Sequence, residues 1–387
     1  MPDLKGISMD DGYSRRTAAV RVGGSLDDAN RPFSHDPTAT LTHCRSPFLS
    51  SLGDERPRQW SENMRAILLD QPGTLDTLRV DEVSEPQPGT GEIRVRVAAI
   101  GLNPVDYKLA GRGNPAWSYP HILGLDVAGT IDTVGADVDS WRTGDRVFYH
   151  GNLARPGGYA ELAITTAHTT AAIPDGVDFV SAAAIPCAGL TAYQGLVRRL
   201  NVQAGHTVWV QGGAGGVGGF GIQICRHLGA TVITTASAGN HDYVRRLGAD
   251  HVIDYRKEDV PARIQQITDG RGVDAVQAAV DGETADQGVR ALAFGGAISC
   301  IAGLPTLSDD TFARAISLHK ISLGAAHNDN NRDAQLDLAR MASEMIALVA
   351  EGRIAPLVEQ LIRLDEVPAG LAQLETRHVR GKIVAEL

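Results

Sequence analysis

With 387 residues, 43% hydrophobic and 21% charged, the chain is long enough for two or three domains and has the balance of a globular protein, which excludes a wholly disordered one. Its formal net charge of −10, without any basic block, makes it a poor binder of nucleic acid or of a membrane surface. No apolar run reaches the ~18 residues of a spanning helix, and Cys44, Cys187, Cys225 and Cys300 form no C-x-x-C pair, so neither a zinc knuckle nor a dithiol redox motif is visible.

In chain order, residues 1–63 mix charge, Ser, Pro and Gly without helical or strand periodicity and are expected to be a disordered N-terminal extension. Asp3, Lys5, Asp10 and Asp11 lack the apolar core of a secretory signal. That feature and the scattered cysteines predict a cytoplasmic protein. Strands are predicted at Met64–Leu69, Ile93–Ile100, Asp126–Val134 and Arg146–Tyr149, separated by turn clusters such as Pro86–Gly91 and Gly157–Gly158. Their spacing suggests a small barrel.

From about residue 190 the rhythm changes. Short apolar runs at Thr207–Val210, Thr231–Thr235, His251–Ile253, Ala275–Val280 and Ala297–Ile301 alternate with helical segments such as Gly218–Leu228 and Asp242–Leu247. Buried strands alternating with helices predict an α/β, doubly wound parallel sheet. A long helix is predicted over Ala334–Glu351 and a last strand over Gly381–Leu387, packed back on the first domain.

The strongest motif is VWVQGGAGGVG at 208–218, with G-x-G-x-x-G at Gly213, Gly215 and Gly218. It joins an apolar strand to a helix. The first glycine permits the turn, the second lets the backbone approach a pyrophosphate, and the third allows close helix–strand packing. A site selective for NAD places Asp or Glu at the end of the next strand. Here that strand ends Thr234-Thr235-Ala236-Ser237, and the next acid is Asp242. Ser237 and Asn240 can donate hydrogen bonds to a 2′-phosphate, which favours NADP(H), although no Arg or Lys lies at 236–241. Alternatively, the two residues only cap the following helix.

Over residues 64–387 the chain resembles the medium-chain dehydrogenase/reductase superfamily, in particular its zinc-independent quinone oxidoreductase branch and the enone-oxidoreductase-like members within it. The resemblance is carried by GLNPVDYK at 101–108, HILGLDVAGTIDTVG at 121–135, GDRV at 144–147, AGLTAYQGL at 188–196, GGAGGVG at 212–218 and GKIV at 381–384. It implies a GroES-like β-barrel catalytic domain over 64–188, a Rossmann domain over 189–325, and a return to the catalytic domain over 326–387, with a cleft between the domains. It also implies a small-molecule substrate and a homodimer.

Residue by residue, the resemblance places Lys108, Thr191, Gly216, Val217, Ser237, Asn240, Tyr255 and the backbone at Ile301 against the cofactor. Zinc alcohol dehydrogenases of the superfamily carry a metal-binding Cys where this chain has Asn103, and Gly-His-Glu where it has Gly124-Leu125-Asp126. Of their ligands only Cys187 is retained, and one thiolate cannot hold zinc. Val105 stands where they relay the substrate proton.

Asn103-Pro104 reads as a helix start, with Asn as the cap and Pro at the first position. Asn103 and Tyr107 then share a face, with Asp106 beside them. The expected chemistry is hydride transfer from NADPH to a quinone or an α,β-unsaturated carbonyl. Lys108 and Asn103 would donate to the forming oxyanion, and Tyr107 or solvent would deliver the proton. The alternatives are a zinc-type alcohol dehydrogenase with atypical ligands and a non-catalytic nucleotide-binding scaffold.

Overall fold

A computed structural model describes residues 63–387. The extension expected over 1–63 lies outside the described residues, except for Asn63, which opens the first strand.

Two sheets organise the rest. The seven-stranded sheet is built mainly from antiparallel pairs. Its centre is the Glu92–Gly101 strand, which alternates buried and part-exposed side chains along most of its length and pairs with Asp126–Val134 and Leu162–Thr166. Arg146–His150 follows Asp126–Val134. On the other side of Glu92–Gly101 lies Lys382–Glu386, antiparallel to it and parallel to Val358–Arg363. The C-terminus thus returns to the first sheet. A smaller sheet joins Asn63–Leu69 to Arg79–Ser84 and His121–Ile122.

The second large sheet has six strands, all parallel, in the spatial order His251–Ile253, Thr231–Thr235, Thr207–Val210, Val273–Ala278, Leu292–Cys300, Ser317–Lys320. The order reverses beside Thr207–Val210. In such sheets ligands bind beyond the carboxyl ends of the strands at this switch, and the glycine motif begins there.

One apolar cluster joins the two sheets. It takes Ala99 and Phe148 from the first, Val208 and Val210 from the second, and Met341 and Met345 from the long helix Arg332–Ala350. Separate clusters fill the first barrel around Ile93, Val95 and Tyr159 and the far face of the parallel sheet around Trp209 and Ile233.

Several boundaries differ from the sequence reading. The helix expected over Gly218–Leu228 begins at Gly216, and the strands expected at Ala275–Val280 and Ala297–Ile301 span Val273–Ala278 and Leu292–Cys300. The Arg79–Ser84 strand escaped sequence reading because its side chains are almost all exposed, so it carries no apolar alternation.

Candidate active site

The helix Pro104–Arg112 starts where its sequence says it should. Asn103 is extended (φ −138°, ψ 151°), and Pro104 takes the first helical position, where its missing N–H costs nothing. The Asp106 carboxylate reaches back to the Asn103 N–H at 2.9 Å. This is the return half of a capping box. Tyr159 donates its hydroxyl to the same carboxylate oxygen at 2.8 Å.

This helix start sits on a buried polar cluster. Lys382 Nζ donates to Asn103 Oδ1 at 2.6 Å, to the Leu102 carbonyl at 3.0 Å and to Asp126 Oδ2 at 3.1 Å. Three acceptors require three N–H donors, which only the charged ammonium has. Its side chain is 3% exposed and that of Asp126 0%. Asn103 Nδ2 donates to Asp126 Oδ2 at 2.9 Å and to the Gly101 carbonyl at 3.3 Å, and Asp126 Oδ1 accepts from the Cys187 N–H at 2.7 Å. An isolated buried charge would be costly, and here each is paired and hydrogen-bonded.

Burial sets the acid–base character of the cluster. It pushes the Asp106 carboxyl up to about 7, with the Asp126 charge adding to the effect and the Tyr159 hydroxyl opposing it. The Asp126 carboxyl is also raised by burial, against the pull of Lys382. Burial raises the Cys187 thiol and lowers His150 to about 4, so that imidazole is neutral at neutral pH.

The glycine loop stands at the carboxyl end of Thr207–Val210. Gly213 and Gly218 are there for packing. A side chain on Gly213 would strike Thr234, and one on Gly218 would strike the Gly212 carbonyl. Gly215 differs, since a Cβ there meets nothing nearer than the Gly212 oxygen at 3.6 Å. The first N–H groups of the helix Gly216–His227 have no intrahelical acceptor and are offered to an anion. These residues fit a dinucleotide pyrophosphate.

The loop and the polar cluster are mechanically joined. Gly381 donates its N–H to the Ala214 carbonyl at 2.9 Å and bridges Gly215, and the next residue is Lys382. Gly381 has φ +58°, and a side chain there would strike the Leu357 carbonyl.

The other expected residues are dispersed around this axis. Lys108 is exposed, and Tyr107 is part-buried against the barrel core. Thr191 is buried in the helix Pro186–Tyr193. Val217 lies in the first turn after the glycine loop. Ser237 opens a single turn in which Asn240 returns its N–H to the Ser237 carbonyl at 2.8 Å. Tyr255 is 50% exposed, with the Arg256 guanidinium 5.7 Å from its ring centre. Thr235 and Ile253 are register partners, so the residues after both strands lie side by side. This brings Arg256 to the same end of the sheet as Ser237. The Ile301 N–H donates to Ala278, and its carbonyl accepts from Lys320 Nζ at 3.1 Å.

Residues 89–175 match the alcohol dehydrogenase GroES-like domain family, and residues 216–343 match the zinc-binding dehydrogenase family. A quinone oxidoreductase from Pseudomonas aeruginosa is 31% identical over 321 residues, covering 81% of this chain and 96% of that protein. The chain belongs to the medium-chain dehydrogenase/reductase superfamily. A trans-enoyl reductase from Aspergillus terreus is 40% identical over 190 residues, which is 46% of this chain and 53% of that one. The solved quinone oxidoreductase of Coxiella burnetii superposes with a TM-score of 0.72 at 29% identity, covering 84% of this chain and all of that one. The superfamily's catalytic barrel is the first sheet, and its dinucleotide domain is the six-stranded one.

One matching family is named for zinc, and three donors that could ligate it converge beside Lys382. Asp126, His150 and Cys187 each bring one ligand atom within 4.8 Å of the others. Three donors are the number an open catalytic zinc site uses. The Lys382 ammonium, however, stands 3.1 Å from Asp126 Oδ2 and is close enough to act electrostatically on both Cys187 and His150. A buried cation already bonded to one of three ligands opposes a dication. With Lys382 charged, the residues do not fit zinc.

In the sequence of this superfamily member, Cys187 is legible as a retained ligand position and Asp126 as the residue in place of a Glu, whereas His150, Tyr159 and Lys382 carry no motif of a site. The available signal was Lys382 itself, which opens a strand whose next three residues, Ile383, Val384 and Ala385, are apolar and buried.

Proposed function

We propose that this superfamily member is an NADPH-dependent, zinc-independent oxidoreductase that passes hydride to a quinone or an α,β-unsaturated carbonyl. One observation carries the reading: the glycine loop is tied through Gly381 to a buried cluster whose cation is a lysine. When bound, the nicotinamide supplies the hydride.

The chain's own groups do the rest. The N–H groups at the start of Gly216–His227 hold the pyrophosphate, and Gly215 leaves room for it. The absence of a carboxylate after Thr235 removes repulsion against a 2′-phosphate, and Ser237, Asn240 and Arg256 are the groups to receive one. A conjugated acceptor spreads its developing charge and leans less on a Lewis acid than a simple ketone does. Lys108, exposed on the helix Pro104–Arg112, is assigned the donor to the enolate or quinol oxygen. Tyr107 or solvent returns the proton. Asn103 has both amide N–H groups and its carbonyl engaged within the protein, so it and Asp106 are assigned to positioning.

The test is oxidation of NADPH and of NADH, each against a quinone panel and an enone panel, with a chelator present throughout. NADPH turnover with one panel, undiminished by the chelator, is expected. Binding of the dinucleotide with silence across both panels would favour the scaffold, and no affinity for either nucleotide would end the reading. Lys108→Ala is expected to lower turnover on the order of 10²-fold. Unchanged turnover and cofactor affinity would remove Lys108 from the site.

A further inference from the structure

We infer that the Lys382 ammonium is the resident cation of the Asp126, His150 and Cys187 pocket, and that removing its charge turns this pocket into a divalent-metal site. The inference rests on the zinc-independent part of the function proposed above and is independent of the cofactor and acceptor.

Three observations carry it. A carboxylate, an imidazole and a thiol converge to within 4.8 Å, a mixed O, N and S donor set suited to zinc or cobalt. His150 Nδ1 is buried without a hydrogen-bond partner among the described residues, so the imidazole keeps unused capacity. Lys382 cannot easily leave. Its Nζ is held by three acceptors, and its N–H bonds the Leu357 carbonyl at 2.9 Å.

Charge decides between the two occupants. With Lys382 present, Asp126 already has a counter-cation, and a dication would face an ammonium among buried side chains where repulsion is poorly screened. Without it, Asp126 is left as a buried anion beside two further donors. Metal binding there would deprotonate the Cys187 thiol, forming the metal–sulfur bond and releasing one proton to solvent.

The experiment titrates Co²⁺ into the full chain and into K382M, K382Q, K382R and K382M/C187S, reading visible and near-ultraviolet spectra and metal per chain. K382Q retains an amide that can bond Asn103, so it serves if K382M does not fold. The native chain and K382R are expected to bind no cobalt in the pocket. K382M and K382Q are expected to take one Co²⁺ per chain with a thiolate-to-cobalt charge-transfer band, which K382M/C187S lacks. The inference is overturned if the native chain binds cobalt with that band, or if folded K382M and K382Q both stay metal-free. A native chain that is active with NADPH and metal-free, alongside variants that refuse cobalt, overturns this inference alone. A native chain inert with every acceptor, alongside variants that bind cobalt, overturns the proposed activity alone.

Discussion

Lys382 and Asn103 are separated by 279 residues of chain, yet the lysine ammonium donates to the asparagine carbonyl oxygen at 2.6 Å inside the protein. This bond ties the last strand to the start of the helix Pro104–Arg112. Through Gly381 it also ties both to the glycine loop.

Loss of the lysine charge leaves Asp126 buried and unpaired. K382M is therefore expected to lower folding stability by about 3–5 kcal/mol, the range for breaking a buried ion pair from one side. The double variant K382M/D126N, which removes both charges, is expected to recover part of that loss. Urea unfolding of the three proteins measures both steps. Equal stability of K382M and the native chain would mean that the pair contributes nothing.

Asp106 carries a pH signature. Its carboxyl has an ordinary value of 3.8 and is raised by burial to about 7 in the folded chain. Between these limits the folded state holds a proton that the unfolded state has released. The contribution of this group therefore falls as pH rises from about 4 to about 7, and levels off above that. D106N, whose side-chain oxygen can still accept from Tyr159, is expected to remove this component. The stability difference between D106N and the native chain should shift in favour of D106N as pH rises. Urea midpoints at pH 5 and pH 8 test this, and a difference that does not move with pH would reject it.

The glycines of the loop divide by what surrounds them. G218A drives a methyl into the Gly212 carbonyl and is expected to lower the thermal midpoint. G215V sets its Cβ in ordinary contact, 3.6 Å from the Gly212 oxygen, and is expected to leave the midpoint of the free protein nearer to that of the native chain than G218A does while abolishing dinucleotide binding. Thermal scans with and without NADPH separate the two effects. Intact binding by G215V would place the pyrophosphate elsewhere.

Cofactor choice is tested at the end of the Thr231–Thr235 strand. S237D introduces the carboxylate that this position lacks, and like charges brought together in a binding site are strongly disfavoured. The ratio of NADPH to NADH affinity is expected to fall at least about tenfold, which corresponds to ~1.4 kcal/mol. An unmoved ratio would place the 2′-phosphate away from Ser237.

Much of the framework was legible from residues near one another in the chain. The strands Thr207–Val210 and Thr231–Thr235 have the predicted bounds, because all their residues but the first are buried and such a strand reads as a short, mostly apolar stretch. Asn103-Pro104 announces a helix start through local backbone chemistry. Exposed edges such as Arg79–Ser84 were not legible, since polar side chains in water impose no period.

The sequence by itself determined the glycine loop and the alternation of strands and helices around it, because turn glycines, helix caps and apolar runs act over a few residues. Only the tertiary structure decided what stands beneath that loop. Asp126, His150, Tyr159, Cys187 and Lys382 come from separate segments, and each is unremarkable beside its chain neighbours. Lys382 and the Cys187 N–H meet Asp126, and Tyr159 meets Asp106, at distances near 3 Å, while burial shifts His150 and the Cys187 thiol, and both conditions exist only once the sheet has closed.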